Sequence, residues 1–323
     1  MTEIPLHFIY SLKINDTIFN ITDVDAHWHE FQTGQQIWIF QTYCLLRQHY
    51  PDVSLGNKPR PGCINILHSG NFGGTNRITD YYILSLRADY SSLLWSNYEI
   101  VQNKLQLRRK TSYITHWLQP GIKKRSNNSL TIKNVAYFGN PDQNVLSDYP
   151  LESDLNRLGI NYIRKDRSNW NDYSDVDLVL AIRGFGNDTM FSNKPPSKLI
   201  NAWWAEVPLI ASNDSAYSQI AVSDEDYIAV HSYEEMMQKI KSLKNNPDYY
   251  SRIINNGIRK REHYSRENIM NEWIEVLENE VFPDFREWAK KGNLNKKIDK
   301  SSRWIARQAQ RAVIKIRDIA GGK

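Results

Sequence analysis

Cysteine is scarce in this chain: Cys44 and Cys63 are the only two in 323 residues, and their spacing fits no metal-ligand pattern. That argues against a disulfide framework, and two buried thiols in a reducing, cytoplasmic setting is the simplest reading. Long apolar runs are lacking too. Nowhere do eighteen apolar residues follow one another, and the opening MTEIPLHFIYSLKI has no basic segment ahead of a long apolar one, so neither a membrane span nor a secretory leader is expected. The Asn-x-Ser/Thr triplets at Asn15 and Asn20 therefore carry no glycosylation meaning. No internal repeat is visible at any period. Net positive charge is missing from most of the chain: the net +5 hides a segment, residues 284–323, with 12 Lys/Arg against 4 Asp/Glu, so that the tail carries +8 and the body −3. A body of that sign is unsuited to tracking nucleic-acid phosphates, and nucleic acid is excluded as a partner. What the chain does have is apolar material, 41% hydrophobic and 12% aromatic, enough for two globular domains.

In the first half, LHFIYSLKI, CINILHS, YYILSLRA, SNYEIVQN and TSYITHW read as strands. Between the first two, Thr33 is placed to cap a helix on which Ile37, Phe40, Cys44 and Leu45 recur, until Tyr50-Pro51 ends the run. After Gly121 the stretch KKRSNNSLTIKN turns basic and then polar without apolar periodicity, which marks a linker. Beyond it come strand NVAYFG, helix LESDLNRLG, strands INYIRKD and VDLVLAIR, helix SKLINAWWAE, strand VPLIAS, helix SAYSQIAV, strand YIAV and helix YEEMMQKIKSLKN. Two more helices, around PDYYSRIINNGIRKREHY and RENIMNEWIEVLENEVF, close this half. Such alternation predicts an α/β parallel sheet covered on both faces, with ligands at the carboxyl ends of its strands. The division is then an N-terminal domain over 1–122, a second over 123–283 and a basic helical tail over 284–323.

The residues just after VLAIR and VPLIAS are thus the place to look. Arg183, Lys194 and Lys198 put three cations around a loop-to-helix transition, and Ser197 is placed to cap the helix that follows. A helix start offers free N–H groups and a partial positive charge, so with added cations it suits a diphosphate. Leu199, Ala202 and Trp203 form the face that packs on the sheet, leaving Lys198 and Asn201 toward the cleft. Asp214, Ser215, Ala216 and Tyr217 begin a second helix at the same edge, near the ribose or sugar of a ligand. The plain alternative is that the lysines only solvate a loop.

The run NWNDYSDVDLVLAIR followed by KPPSKLINAWWAEVPLIASNDSAYSQI resembles bacterial-type glycosyltransferases with a K-P-x-x-K-L-x-N-A-W motif, and the likeness extends over roughly residues 95–275. The earlier EIVQN and SYITHWLQPGI also look like that group. The resemblance implies the GT-B fold, two Rossmann-like domains facing across a cleft, with the donor-binding domain second. It also implies a nucleotide-diphosphate sugar as donor and a saccharide or lipid-linked hydroxyl as acceptor. It brings Gly139, and the Gly34-Gln35 turn of the first domain, close to the donor. Two glutamates eight apart bind the donor in many such enzymes; here those positions are Asn193 and Asn201, a departure that bears on ribose and sugar recognition. Glu206 stands where relatives often have glycine and is expected to face solvent.

The acceptor side comes from the first domain, where DVDAHWHEFQTGQQ is dense in polar groups. Glu30 is the first candidate for the catalytic base and Asp25 the second, with His68 and His116 as cleft-lining residues after predicted strands. Asp175-Val176-Asp177 precedes its strand, at the edge away from ligands, and Asp23-Val24-Asp25 precedes a loop. Neither triplet is read as a metal site, and metal-independent chemistry with no cofactor beyond the donor is expected. From Ile298 the tail reads as one amphipathic helix ending at Gly321, with Ile305, Ala309, Ala312, Ile316 and Ile319 on one stripe and Arg303, Arg307, Arg311 and Lys315 recurring every fourth residue. Two readings stay open for it: the surface of an anionic membrane, at its inner face, or packing back on the protein. Rival functions also stay open: a sugar-nucleotide epimerase, a polyol-phosphate transferase, or a non-catalytic sugar-binding scaffold.

Overall fold

The computed structural model of the protein describes residues 4–71, 80–127, 129–140, 142, 144–185 and 191–320. The first domain is a parallel sheet of β1 (Leu6–Ile9), β2 (Val53–Gly56), β3 (Ile64–His68), β4 (Tyr82–Leu86), β5 (Tyr98–Val101) and β6 (Thr111–Tyr113), in the order β2-β1-β3-β4-β5-β6. The edge strand β2 is not anticipated from the sequence. It is only half-buried and sits between Pro51 and the turn-rich Asn57–Gly62, so its four residues lack a strand signal of their own. Alternate residues explain the two faces. Leu6, Phe8, Ile64, Ile66, Leu84 and Ile100 enter the main core, whereas His7, Asn65, Ser85 and Glu99 are buried polar groups on the other face. These are hydrogen-bonded, as buried polar groups must be: His7 through Ser54 Oγ at 2.8 Å and Lys58 O at 2.9 Å, and Glu99 through Ser92 Oγ and the Leu93 N–H, both at 2.8 Å, and Arg108.

The helix after β1 begins where expected. Thr33 Oγ1 accepts from the Gln36 N–H at 3.2 Å while Gln36 Oε1 accepts from the Thr33 N–H at 2.9 Å, a reciprocal cap. From it run α1 (Gly34–Gln36), a π-helical turn (Ile37–Gln41) and α2 (Thr42–Leu46).

The second domain contains β7 (Asn134–Phe138), α3 (Leu151–Arg157), β8 (Asn161–Lys165), β9 (Leu178–Ala181), α4 (Ser197–Ala205), β10 (Leu209–Ser212), α5 (Ser215–Ser218), β11 (Ile228–Val230), α6 (Tyr233–Lys244) and α7 (Pro247–Arg261). Its sheet is parallel, in the order β11-β10-β9-β7-β8. Along β9, Val179 and Ala181 pack with α4 while Leu178 and Leu180 pack with α6 and α7, so both faces are covered. In both sheets the order reverses beside the first strand, between β1 and β3 and between β7 and β9. Crevices at such reversals open at the carboxyl ends of strands.

Three local expectations are revised. Ser197 caps nothing: Pro196 occupies the N-cap position, makes no side-chain cap, and leaves Ser197 as the first helical residue. Glu206 ends α4 in the left-handed region, φ 62°, and does not simply face solvent, since its carboxylate takes Lys124 at 2.9 Å and Arg261 at 2.6 Å. The segment of α8 (Arg266–Val276), a π-helical turn (Leu277–Val281) and α9 (Phe282–Ala289) packs with the first domain, although the sequence reading closes the second with it. Ile269, Trp273, Leu277 and Phe285 lie in the first domain's core. Carboxylates on the same segment pin it to the sheet: Glu272 to the Thr115 N–H at 2.7 Å, Glu280 to Ser112 Oγ at 2.7 Å and to Tyr98, Asp284 to the Tyr82 hydroxyl at 2.8 Å and to Lys110. An apolar stripe shows that a helix has a partner, not which partner.

The tail is α10 (Asn293–Ala320). Lys300 is buried and donates to Tyr81 O at 2.8 Å, and Arg311 donates to Ser92 O at 2.5 Å, so the helix touches the first domain. Ile298, Ile305, Val313 and Ile316 are nevertheless exposed. The side chains of Arg303, Arg307, Lys315 and Ile319, and Gly321 itself, lie outside the described residues. Among the described residues no helix is long and apolar enough to cross a membrane.

The chain passes between domains at Gly121, φ 66°. Its N–H donates to Asp25 at 2.7 Å, its carbonyl accepts from Asn171 at 2.8 Å, and Asp25 is in turn paired with Arg266 of α8 at 2.5 Å. A Cβ here would stand 2.8 Å from Trp28 Cβ. Gly121→Ala combines left-handed strain with that overlap and is expected to cost about 2–4 kcal/mol, measured by thermal unfolding. A change below about 0.5 kcal/mol would show that the crossing is not constrained.

Candidate active site

A cavity of about 520 Å³ lies between the carboxyl ends of the two sheets. The second domain contributes Phe138, Gly139 and Asn140 from the end of β7, Ile182 and Arg183 from the end of β9, and Lys194, Ser197, Lys198 and Asn201 from the start of α4. These flank the point where strand order reverses. The first domain contributes Thr33 and Gly34 from the capped helix start, Asp89 after β4, and His116 and Gln119 after β6. Gly34 has open space around the position of a Cβ, with nothing within 4 Å. A smaller cavity of about 470 Å³ adjoins this one and shares Gly139, Asn140, Arg167 and Trp170 with it.

The three cations are held in different ways. Arg183 is bound to the fully buried Asp214, with its guanidinium 5.0 Å over the Tyr217 ring and a further hydrogen bond to Pro195 O at 3.1 Å. Lys194 reaches across the cleft to Asp89 at 2.6 Å. Lys198 has no carboxylate partner among the described residues and rests 4.9 Å over the Tyr137 ring. Burial, then the repulsion of Arg183 and Lys194, brings its ammonium down to about 7. An anion entering this cavity would meet two cations paired with no carboxylate among the described residues, Lys198 and the exposed Arg167.

The helix start expected to meet a ribose or sugar serves instead behind the site. Asp214 supports Arg183 and caps α5 by accepting from the Ala216 N–H at 2.8 Å; Tyr217 lies beneath Arg183; Ser215 Oγ accepts from Asn103 of the first domain at 3.0 Å. None of Asp214, Ser215, Ala216 and Tyr217 is among the residues lining the cavity. Asn201 does line it, and its Oδ1 accepts from the Gln119 N–H at 3.3 Å across the domains.

Glu30 and Asp25 lie outside the cavity lining, as does Gln35. Glu30 accepts from Asn15 Nδ2 at 2.8 Å, and Asp25 is committed to Gly121 and Arg266 at the interdomain crossing. Burial alone would raise the Asp25 carboxyl, but Arg266 and the Gly121 N–H hold it below its usual value. His116 lines the cavity, with Nδ1 donating to Trp117 O at 2.7 Å, and burial lowers its pKa. His68 does not line it; its Nδ1 accepts from the Gly70 N–H at 3.1 Å, and burial brings it down to about 4. Asp177 pairs with Arg125 and accepts from the Lys133 and Asn134 N–H groups at the start of β7, and Asp175 pairs with Lys165, the last residue of β8, so both acids of that triplet have structural partners. Asp89, Gln119, Tyr137, Arg167 and Trp170 are lining residues that the sequence reading does not name. For Asp89 a signal is present, since YYILSLRA is a predicted strand and Asp89 directly follows it.

No protein-family model matches the chain, and no curated protein matches it. Solved structures do. The crystal structure of an α1,3-fucosyltransferase with GDP-fucose aligns with a TM-score of 0.52 at 12% identity, covering 87% of this chain and 92% of that one. The structure of Anabaena HepE in complex with UDP and glucose aligns with a TM-score of 0.48 at 11% identity, covering 86% and 100%. TarM aligns with a TM-score of 0.47 at 13% identity, over 67% of this chain; the chain spans 55% of the TarM structure's length. At these identities what is shared is the fold: two parallel-sheet α/β domains facing across a cleft, the GT-B architecture, with a helix-rich carboxyl end.

With Arg183 and Asp214 both largely buried, removing one strands the other. Asp214→Ala is expected to lower stability by about 3 kcal/mol, read from denaturant unfolding. A loss below about 1 kcal/mol would return Asp214 to the status of an exposed loop acid.

Proposed function

We propose that the protein is a glycosyltransferase that moves a sugar from a nucleotide-diphosphate sugar to a hydroxyl of a saccharide or lipid-linked acceptor. The observation that carries this reading is the unneutralised Lys198 beside Arg183, at the point where the second sheet reverses its order. A diphosphate there completes the charge balance, with Lys194 and Lys198 as its cations, Arg183 behind them and Gly139 allowing the backbone to come close. As the bond to the sugar breaks, those cations stabilise the negative charge gained by the leaving diphosphate, without a metal. Asn201, linked to Gln119 across the cleft, stands next to the sugar. The fold shared with the α1,3-fucosyltransferase structure that holds GDP-fucose points the same way. Two adjoining cavities with shared walls suit a two-substrate reaction.

In a thermal-shift panel of UDP, GDP, ADP and dTDP, at least one nucleotide is expected to raise the unfolding midpoint, and Lys198→Met to weaken its binding by at least about tenfold. No stabilisation by any of them would sink the reading. Because Lys198 titrates near neutrality when the site is empty and is held protonated by a bound anion, affinity for the intact nucleotide sugar is expected to fall as pH rises through about 7. The limit is one proton per ligand, or about tenfold per pH unit, and the dependence vanishes in Lys198→Met. A new glycoside together with free nucleoside diphosphate separates transfer from isomerisation of the donor.

The exposed apolar side chains of α10, beside a segment of net +8, favour an anionic membrane surface for the tail and hence a surface-bound acceptor. Full-length protein is expected to co-sediment with phosphatidylglycerol vesicles at low salt and not with phosphatidylcholine vesicles. Binding to neither would leave the tail as a helix that packs on the protein, and equal binding to both would show that the anionic headgroup plays no part.

A further inference from the structure

Asp89 is the only acidic side chain among the described residues that line the cavity. Its position is built. The preceding Ala88 adopts φ 48°, a conformation disfavoured without glycine and tolerated where the surroundings impose it. Around it the loop is tied down: Arg87 Nε donates to Tyr90 O at 3.0 Å, and Ser92 Oγ and the Leu93 N–H both donate to the buried Glu99 at 2.8 Å. The second domain grips the same residue twice, Lys194 at the carboxylate at 2.6 Å and Asn193 Nδ2 at the carbonyl at 2.6 Å. The carboxylate is still 40% exposed, on the cavity side of a pair that joins the two domains. Asp89 is therefore an anion already sitting on one of the cations that a diphosphate would use.

We propose that the Asp89–Lys194 ion pair is a donor-operated catch, in which the diphosphate of the nucleotide sugar takes Lys194 and the freed Asp89 carboxylate receives the proton of the acceptor hydroxyl. The inference rests on the donor site proposed above. In the step itself, the acceptor oxygen bonds to the anomeric carbon while the bond from that carbon to the diphosphate oxygen breaks. Its electron pair leaves on the diphosphate, and the hydroxyl proton passes to Asp89. Direct displacement of this kind inverts the anomeric configuration. The charges facing Asp89 are Lys194, which holds its carboxyl below the usual range against the opposing effect of burial, Arg183, which is already bound to Asp214, and the buried His68 and His116, whose pKa values burial lowers. While Lys194 is engaged the carboxylate is a weak base. Once a diphosphate holds Lys194, the carboxylate loses its stabilising cation, gains an anionic neighbour and becomes a stronger one. The acceptor is thus activated only when a donor is seated.

The test compares wild type with Asp89→Asn. Binding is read by titration with UDP and GDP, and turnover as release of UDP or GDP from UDP-glucose or GDP-fucose, with water standing in for the acceptor. Removing the competing carboxylate is expected to tighten nucleotide binding about two- to fivefold while turnover falls about 10²- to 10⁴-fold, with part of it restored in Asp89→Glu. Unchanged or weaker binding in Asp89→Asn overturns the catch, and retained turnover overturns the proton transfer. Failure of wild type to bind any nucleotide overturns the donor site itself and this inference with it. A second readout uses wild type and Lys194→Met, leaving Asp89 untouched. In wild type the acid limb of kcat is expected at higher pH than that of kcat/KM, because the first reports Asp89 with donor bound and the second Asp89 paired with Lys194. The gap between the limbs narrows in Lys194→Met, where only the anionic diphosphate remains to shift Asp89, and coincident limbs in wild type overturn the proposal.

Discussion

Three cations converge at the end of one sheet, and their mutual repulsion is the constraint round which the cleft is arranged. Arg183 is neutralised within its own domain by Asp214, an acid buried together with it. Lys194 is neutralised from the other domain by Asp89. Only Lys198 is left to an aromatic face, which compensates an ammonium partially. The residual charge is therefore that of Lys198 and of the exposed Arg167 on the same cavity wall. A site with every cation paired would bind an anion weakly, and one with none paired would hold the domains apart. The graded arrangement leaves room for a ligand charge while keeping the two domains in contact.

Contact between the domains rests on more than that pair. Asn103, after β5, donates to Ser215 Oγ at 3.0 Å and to Lys194 O at 3.3 Å, and Gln219 Oε1 accepts from the Lys104 N–H at 2.7 Å. Asn201 and Gln119 add a further link at 3.3 Å. These are neutral hydrogen bonds of roughly 0.5–1.5 kcal/mol each, the Asn103–Ser215 bond buried and the others at least partly exposed, of a strength that permits exchange for a ligand's own contacts. Away from the cavity lining, Gly121, Asp25 and Arg266 tie the crossing between the domains to α8.

Much of this was legible in the sequence where the signal is local. Strand and helix order in the second domain follows from alternating runs such as VDLVLAIR and SKLINAWWAE, and the Thr33 cap from its place just ahead of the helical run Ile37, Phe40, Cys44 and Leu45. Arg183, Lys194 and Lys198 come to one place because strand ends and helix starts are readable one at a time. What sequence could not carry is partnership at long range. Asp25 lies at a loop like that of a catalytic acid, but Arg266, 241 positions on, claims it. Asp214 looks like a ligand-facing cap until Arg183 is folded over it. Ser197 precedes an apolar face as a cap does, yet the turn at Pro196 takes that position. Asp89 follows a strand in the half of the chain where strands and helices do not alternate regularly, and no helix start near it in sequence marks that strand end as a ligand edge.

The return of α8 and α9 to the first domain means that this domain is written in two pieces, with the whole second domain between them. Trp273, Leu277 and Phe285 cover the same face of the sheet as Phe8, Ile66 and Leu84, yet a ribosome delivers them more than 180 residues after β4 (Tyr82–Leu86) has emerged. Until then that face has no lid from its own carboxyl end. The second domain owns all its strands and covering helices within 134–261 and can settle first, so the half of the protein that came earlier in synthesis is the half that is completed last.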